Sequence, residues 1–356
     1  MTCVRPDLYE AEFMPSFERE LKLIAGIKEW TGSPFIGDDC AVLPGRGLVT
    51  TDTLVEGTHF RLEWTDLLAL GWKACAVNLS DIAAMAGRPR FLTVALTMPG
   101  NFGTSELRSL YLGLCDCAAR YRARIVGGDL TSGEKLVINV TAMGDVHEAG
   151  IMRRSTASVG EIVVVTGSFG GSGAALSLLN RLSQSETRPG PLGASLIPLA
   201  LLRPGSHSQK LLQMHFRPEP RLSSAWHLVE LTGGRGSLMD ASDGLADGLV
   251  QIARASGVAM TIDLDKIPVP EAVYEYSRQW QKDPLAFALY GGEDYELVGT
   301  VPEELLPELL KLDPSFSPIG VVREGRSGEV MFREGGKISE RLTGFADLSN
   351  CFQHFW

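Results

Sequence analysis

GWKACAVNLSDIAAMAG, residues 71–87, is the segment on which the fold turns. Its small and apolar residues continue a helical stretch that spans 66–86. Asp81 lies inside that stretch, where a carboxylate is costly to leave unpaired. FLTVALTMP (91–99) follows as a strand stopped by Pro99, and helical periodicity resumes over 104–121, with Thr104 or Ser105 as its N-cap. RIVGGD (124–129) and KLVINVTAMG (135–144) are the next strands. Upstream, FERELKLIAGIKEW (17–30) has helical spacing and GLVTTDTLV (47–55) is a strand running into a turn. Strands and helices alternate, which predicts an α/β or α+β class with more than one layer.

A second beginning appears near residue 150. EIVVVTG (161–167) is a strand, followed by the Gly-rich SFGGSG and a helix from about 172. GSLMDASDGLADGLVQIARASG (236–257) reads as a short strand, a turn and a helix; VAMTIDLDKIPVP (258–270) is strand-like, and helices are expected over 270–281 and 302–311. Residues 183–209 are rich in Ser, Pro and Gly and predict a surface loop. A chain of 356 residues fits two domains. The boundary is expected near 147–152, giving a 1–149 domain and a 150–356 domain. No short-period repeat is visible.

The chain carries 33 basic and 43 acidic residues, for a net charge of −10. That balance argues against sequence-independent nucleic-acid binding, which needs a basic footprint. It also repels anionic substrates at long range, so a phosphate ligand needs metal ions or local donors. Six cysteines without a C-x-x-C pair exclude zinc-finger spacing, and a disulfide framework is not expected in a chain this long. No run of 18 apolar residues and no N-terminal apolar segment is present, so the expectation is a reducing cytoplasm and no membrane span.

The usual phosphate-binding signatures are missing. There is no G-x-x-x-x-G-K-[ST], no kinase H-R-D or D-F-G, and no G-x-S-x-G. Gly167–Gly173 follows a strand and precedes a helix, so its amides face a potential anion. It lacks the Lys, and a tight strand-to-helix connection is the better reading. What recurs instead is an acid beside Gly, Ser or Thr at the end of an apolar run: Asp38 and Asp39, Asp52, Asp81, Asp129, Asp240 and Asp243, and Glu293 with Asp294. Each alone, Asp81 apart, reads equally as a helix cap or turn acid. Together, carboxylates with flanking hydroxyls are what a hard cation requires, and magnesium takes a few carboxylates plus substrate phosphates.

These residues form an ordered set of motifs. IGDDCAVL (36–43), TTDTLVEGTHF (50–60), GWKACAVNLSDIAAMAG, GGDLTSG (127–133), HFRPEPR (215–221), DASDGL (240–245) and GGEDYELV (291–298) resemble those of the thiamine-monophosphate kinase family, over residues 17 to 348. The resemblance implies a two-domain fold like that of aminoimidazole-ribonucleotide synthetase. An α/β N-terminal domain, which binds nucleotide and metal, would pair its sheet across a homodimer, and a C-terminal α+β domain would complete the cleft. It implies Mg²⁺-dependent in-line transfer of the ATP γ-phosphoryl to thiamine monophosphate. By motif, Asp39, Asp52, Asp81, Asp129 and Asp240 resemble magnesium ligands, with Asp243 on a further ion. Asp52, Asp129 and Asp240 would carry the catalytic role. Thr50 and Thr51 would add hydroxyl or carbonyl oxygens. Ser242, Gly128, Asp129, Tyr111 and Arg154 resemble ATP contacts, and His59, Glu293 and Phe345 resemble acceptor contacts.

The sequence also departs from the family. Cys40 stands where Ala is usual, Met85-Ala86-Gly87 where Met-Gly-Ala is usual, and Ala241 where a larger apolar residue is usual. Leu130 and Ser132 remove a hydroxyl and an Arg from the common G-G-D-T-T-R-G. Two rivals follow: another ATP-using member of the same superfamily, opposed by TTDTLVEGTHF and GGEDYELV, and a catalytically silent nucleotide or cation binder, separated from a kinase by ADP release.

Overall fold

The computed structural model describes residues 16–185 and 203–343. The N-terminal part runs α1 (Ser16–Thr31), β1 (Ala41–Leu43), β2 (Gly47–Val55), α2 (Leu67–Ala84), β3 (Arg88–Met98), α3 (Thr104–Arg120), β4 (Arg124–Ser132) and β5 (Val137–Asp145). Its strands form one sheet in the order β1-β2-β5-β3-β4, antiparallel except for the β3–β4 pair. That parallel pair needs a crossover, and α3 supplies it. Ile138, Val140 and Ala142 of β5 are buried, while their alternate neighbours are half-exposed, as a sheet covered on one face requires.

Helix α2 is the covering element. Asp66 caps it, accepting the Ala69 N–H at 2.7 Å. By length and composition it is apolar enough to cross a membrane, yet 89% of it is buried within the protein. It lies backbone-to-backbone on α3. A Cβ on Gly71 would stand 2.0 Å from the Leu110 carbonyl oxygen, and one on Gly113 would stand 1.9 Å from that of Leu68. The helix ends at the Met85-Ala86-Gly87 departure. Ala86 holds φ +53°, the left-handed position that a helix end normally gives to Gly, and the Gly87 N–H bonds the Ile82 carbonyl at 2.7 Å.

The C-terminal part runs β6 (Ile162–Thr166), α4 (Gly171–Ser185), α5 (His207–Phe216), α6 (Leu222–Thr232), β7 (Leu238–Asp240), α7 (Leu245–Ser256), β8 (Ala259–Asp263), α8 (Glu271–Trp280), α9 (Pro284–Tyr290), β9 (Leu297–Val301), α10 (Leu306–Leu312), β10 (Phe316–Arg323), β11 (Val330–Glu334) and β12 (Lys337–Thr343). Its seven strands lie in the order β12-β11-β8-β10-β6-β9-β7. The apolar run of β6 is explained by burial on both faces. Val164 joins the core shared with the N-terminal part and α6, and Val163 and Val165 join the core under α7. The expected mixed α/β and α+β architecture is observed. The 183–209 loop is corrected at both ends, because α4 runs on to Ser185 and α5 starts at His207; the intervening 186–202 lie outside the described residues.

Candidate active site

Two elements and one loop deliver carboxylates to one place. Asp39 precedes β1, Asp81 lies on α2 and Asp240 ends β7; one oxygen of each lies within 4.8 Å of the others. Thr50 on β2 donates to Asp81 Oδ2 at 2.6 Å, and Ser80 donates to Asp240 Oδ2 at 2.6 Å. The Asp52 N–H donates to the Asn78 side-chain oxygen at 2.9 Å, which fixes β2 against α2. Three clustered like charges repel. Burial pushes the Asp39 carboxyl up to about 7, Arg154 pulls it back, and Asp240 and Asp38 push it up again. Burial raises Asp240 to about 6 against the Ser80 hydrogen bond, with Asp52 adding to the rise. Asp81 is pushed well above the carboxylate range by burial and then by Asp52, Asp240 and Asp39.

Arg154 partly answers this charge. Its Nη2 lies 2.6 Å from Asp39 Oδ1, and its Nη1 donates to Gln251 Oε1 at 2.7 Å. Asp39 Oδ2 remains buried without a hydrogen-bond partner. An orphaned carboxylate oxygen among three clustered acids with hydroxyl neighbours fits a hard divalent cation.

The remaining predicted residues divide. Asp243 is close enough to raise Asp240. Ser242 offers its carbonyl oxygen to the Glu293 N–H at 2.5 Å. The Thr51 hydroxyl is not brought to the acids. Strand alternation turns it to the other face of β2, where it bonds the Val140 carbonyl at 3.0 Å, so only its backbone oxygen remains available as a ligand. Asp129 and Gly128 are exposed on β4, with Asp129 bonded by Thr131 at 3.3 Å and outside the three-carboxylate group. Tyr111, on α3, packs against the N-terminal core, and burial raises its phenol. His59 follows β2, with Nδ1 accepting the Val55 N–H at 3.0 Å. Phe345 lies outside the described residues.

Glu293 is buried and holds φ +58°. Lys73 Nζ lies 2.8 Å from its Oε1, and His215 Nδ1 lies 3.6 Å from its Oε2. Burial pushes Glu293 up, but Lys73, His215 and His59 together outweigh it and hold the carboxyl below its ordinary value. Burial, and then the Lys73 charge, push His215 down to about 3 against the pull of Glu293. The unfolded chain takes up that proton near pH 6.5 and the folded chain does not. This contribution to stability is therefore complete above pH 6.5 and is lost as the pH falls from there towards 3. His215→Gln is expected to flatten the Tm profile between pH 6.5 and 4.5; parallel profiles for variant and wild type would place the acid sensitivity elsewhere.

The Gly-rich SFGGSG connection meets an anion, but an internal one: Asp294 accepts the Gly170 N–H at 2.7 Å and the Ser172 N–H at 3.0 Å. Sequence reasoning missed Lys73 and His215. Lys73 sits in the same apolar run that made Asp81 conspicuous, and the same cost of burying a charge would have flagged it.

Two domain families match the chain: AIR synthase related protein, N-terminal domain, over residues 37–146, and its C-terminal domain over 158–333. Thiamine-monophosphate kinase of Bacillus subtilis (strain 168) is 36% identical over 84% of this chain and 88% of that protein. The Escherichia coli (strain K12) enzyme of the same name is 35% identical over 87% and 90%. Among solved structures, AaThiL complexed with AMPPCP and TMP superposes with a TM-score of 0.77 at 30% identity, covering 99% of both chains. Thiamine monophosphate kinase from Aquifex aeolicus gives 0.75 at 31% identity, covering 94% of this chain and 100% of that one. Hydrogenase maturation protein HypE, at 20% identity and a TM-score of 0.63, shares the fold alone.

Proposed function

The chain belongs to the thiamine-monophosphate kinase family of AIR synthase related proteins, and we propose that its cleft works as follows. The enzyme is an ATP-dependent kinase that passes the γ-phosphoryl of ATP to the phosphate of thiamine monophosphate, giving thiamine diphosphate and ADP. The observation that carries this reading is full-length similarity to a structure complexed with AMPPCP and TMP, joined to a buried carboxylate cluster on the seam between the domains.

Asp39, Asp81 and Asp240 would hold Mg²⁺ with Asp52, Asp129 and Asp243, the Thr50 hydroxyl and the Thr51 carbonyl. Cations bound there neutralise phosphate charge and stabilise the charge that develops during transfer. Arg154 supplies fixed positive charge beside the same phosphates, while Ser242, Gly128 and Tyr111 contact the nucleotide. Glu293 and His59 line the acceptor pocket. The attacking phosphate oxygen is already anionic near neutral pH, so in-line attack needs alignment rather than a strong base. Residues 1–149 bind nucleotide and metal, and residues 150–356 close the cleft.

The N-terminal sheet pairs across a homodimer in this reading. Support comes from the half-exposed second face of β5 and from Val126 and Leu130, 55% and 57% exposed on edge strand β4. Sedimentation at twice the 38.5 kDa chain mass, lost in Leu130→Asp, checks it. A reducing cytoplasm suits the four described cysteines, all of them free.

The direct test is incubation with ATP, Mg²⁺ and thiamine monophosphate. Stoichiometric thiamine diphosphate and ADP are expected, with none when Mg²⁺ is omitted or thiamine replaces the acceptor. No product from folded, nucleotide-binding protein would leave a silent binder, with Leu130 and Ser132 the first positions to revert.

A further inference from the structure

Seven residues separate Lys73 from Ser80 on α2, close to two full turns, so both side chains leave the helix on one side. Towards the C-terminal domain, Ser80 reaches Asp240 and Lys73 reaches Glu293. At 1.5 Å per residue these contacts lie roughly 10 Å apart along the axis. One end of that line is the carboxylate cluster. The other is a buried ion pair, with side-chain exposures of 3% for Lys73 and 6% for Glu293.

Such a pair is a poor source of stability. Taking both charges out of water offsets most of their attraction, and apolar residues of the same volume commonly serve a core as well. The conformation of Glu293 also costs energy, since a non-glycine residue at φ +58° is disfavoured by roughly 1 kcal/mol. The turn is held open by specific bonds, Glu293 N–H to the Ser242 carbonyl at 2.5 Å and Tyr295 N–H to the Ala241 carbonyl at 3.2 Å. These tie it to the loop that carries Asp240 and Asp243.

The surroundings leave the carboxylate one neighbour on each oxygen, a charged one and a neutral one. Oε1 takes Lys73, and Oε2 faces His215, whose Nδ1 is also 2.8 Å from Ser172 Oγ. The small cavity beside Lys73 and His215 is walled by Phe60, Trp64, Leu70 and Phe216 with Arg61 and Thr65, so no acid competes for the ammonium from that side. Among the described residues, Glu293 is the carboxylate within ion-pair distance of Lys73. An ionised carboxylate accepts hydrogen bonds and cannot donate them, so it suits an amino-bearing ring and not a carbonyl.

We propose that Lys73 and His215 are positioning residues: they hold Glu293 as an oriented acceptor against the ring end of the phosphate-accepting substrate, two helical turns away from the reacting phosphate. This rests on the reading of Glu293 as part of the acceptor pocket. Lys73→Met, Glu293→Gln and the double variant form a cycle, assayed for thiamine diphosphate with acceptor and ATP varied in turn. Each single variant is expected to raise the acceptor KM tenfold or more while the ATP KM stays within twofold. The double variant is expected to be no worse than Glu293→Gln alone. His215→Gln is expected to raise the acceptor KM at least threefold, and to add nothing in the Glu293→Gln background.

Independent, multiplying effects in the cycle would overturn the proposal, as would equal rises in both KM values or wild-type KM values in Lys73→Met. The double variant leaves no unpaired buried charge. If Lys73→Met fails to fold, the double variant's comparison with Glu293→Gln still decides, equality supporting the proposal and a further rise in acceptor KM refuting it. Wild-type protein that does not turn over thiamine monophosphate would remove the acceptor reading and this proposal with it. Wild-type turnover with an unsplit KM pattern would remove this proposal alone.

Discussion

Asp240→Asn is expected to lower turnover by about 10²–10³-fold, the range seen when one well-placed electrostatic group is removed from an active site, without loosening the fold. The side chain is 3% exposed and receives the Ser80 hydroxyl at 2.6 Å, a bond that an asparagine carbonyl oxygen also accepts. What changes is charge. Two unit charges about 4.8 Å apart repel by roughly 3 kcal/mol at an effective dielectric of 20, and Asp240 faces both Asp39 and Asp81 at no more than that separation. The metal-free variant should therefore melt at the same temperature as wild type or higher. Its loss of activity is then a loss of cation holding, read as a smaller Mg²⁺-induced rise in Tm. Asp52→Asn is expected to move in the same direction. A variant with turnover within tenfold of wild type and an undiminished Mg²⁺ shift in Tm would remove Asp240 from the metal site.

The sequence made the acids legible because they recur beside Gly, Ser or Thr at the ends of apolar runs. Asp81 interrupts an apolar helix, and Asp240 follows a short apolar strand in a Ser-Asp-Gly turn. Their convergence was not legible, since the groups are brought within 4.8 Å by tertiary packing across residues 39 to 240. The helices and strands of residues 47–144 were readable because period-2 and period-3.6 patterns are long there. β11 and β12 were missed: they are short and separated only by Gly335 and Gly336, so alternation had too few residues to declare itself. The family resemblance supplied Glu293 but not its partners. Lys73 was read as part of a helical run and His215 as part of a motif, and only the packing of α2 and α5 against the Glu293 turn joins them.

Gly113→Ala is expected to be among the most damaging single-methyl changes in the N-terminal domain. The added carbon would stand 1.9 Å from the Leu68 carbonyl oxygen and 2.8 Å from the Trp72 nitrogen, and both atoms are backbone of α2. No rotamer change relieves such a contact. The helices must separate by more than an ångström, and Gly71, whose own added carbon would meet Leu110 at 2.0 Å, shows that the approach is mutual. Overpacking of this kind costs about 3 kcal/mol or more, which lowers Tm by roughly 4 °C in a chain of this size. The effect reaches the chemistry because α2 carries Lys73, Asn78, Ser80 and Asp81. Displacing it from α3 shifts those four groups against Asp52, Asp240 and Glu293, so the protein that remains folded should lose turnover at least tenfold. Gly100→Ala is the control, since a Cβ there meets nothing within 4 Å and the backbone is not left-handed. A Gly113→Ala protein that melts within 2 °C of this control and turns over normally would mean that the α2–α3 seat yields freely, and that the position of α2 is set by the sheet and the C-terminal domain instead.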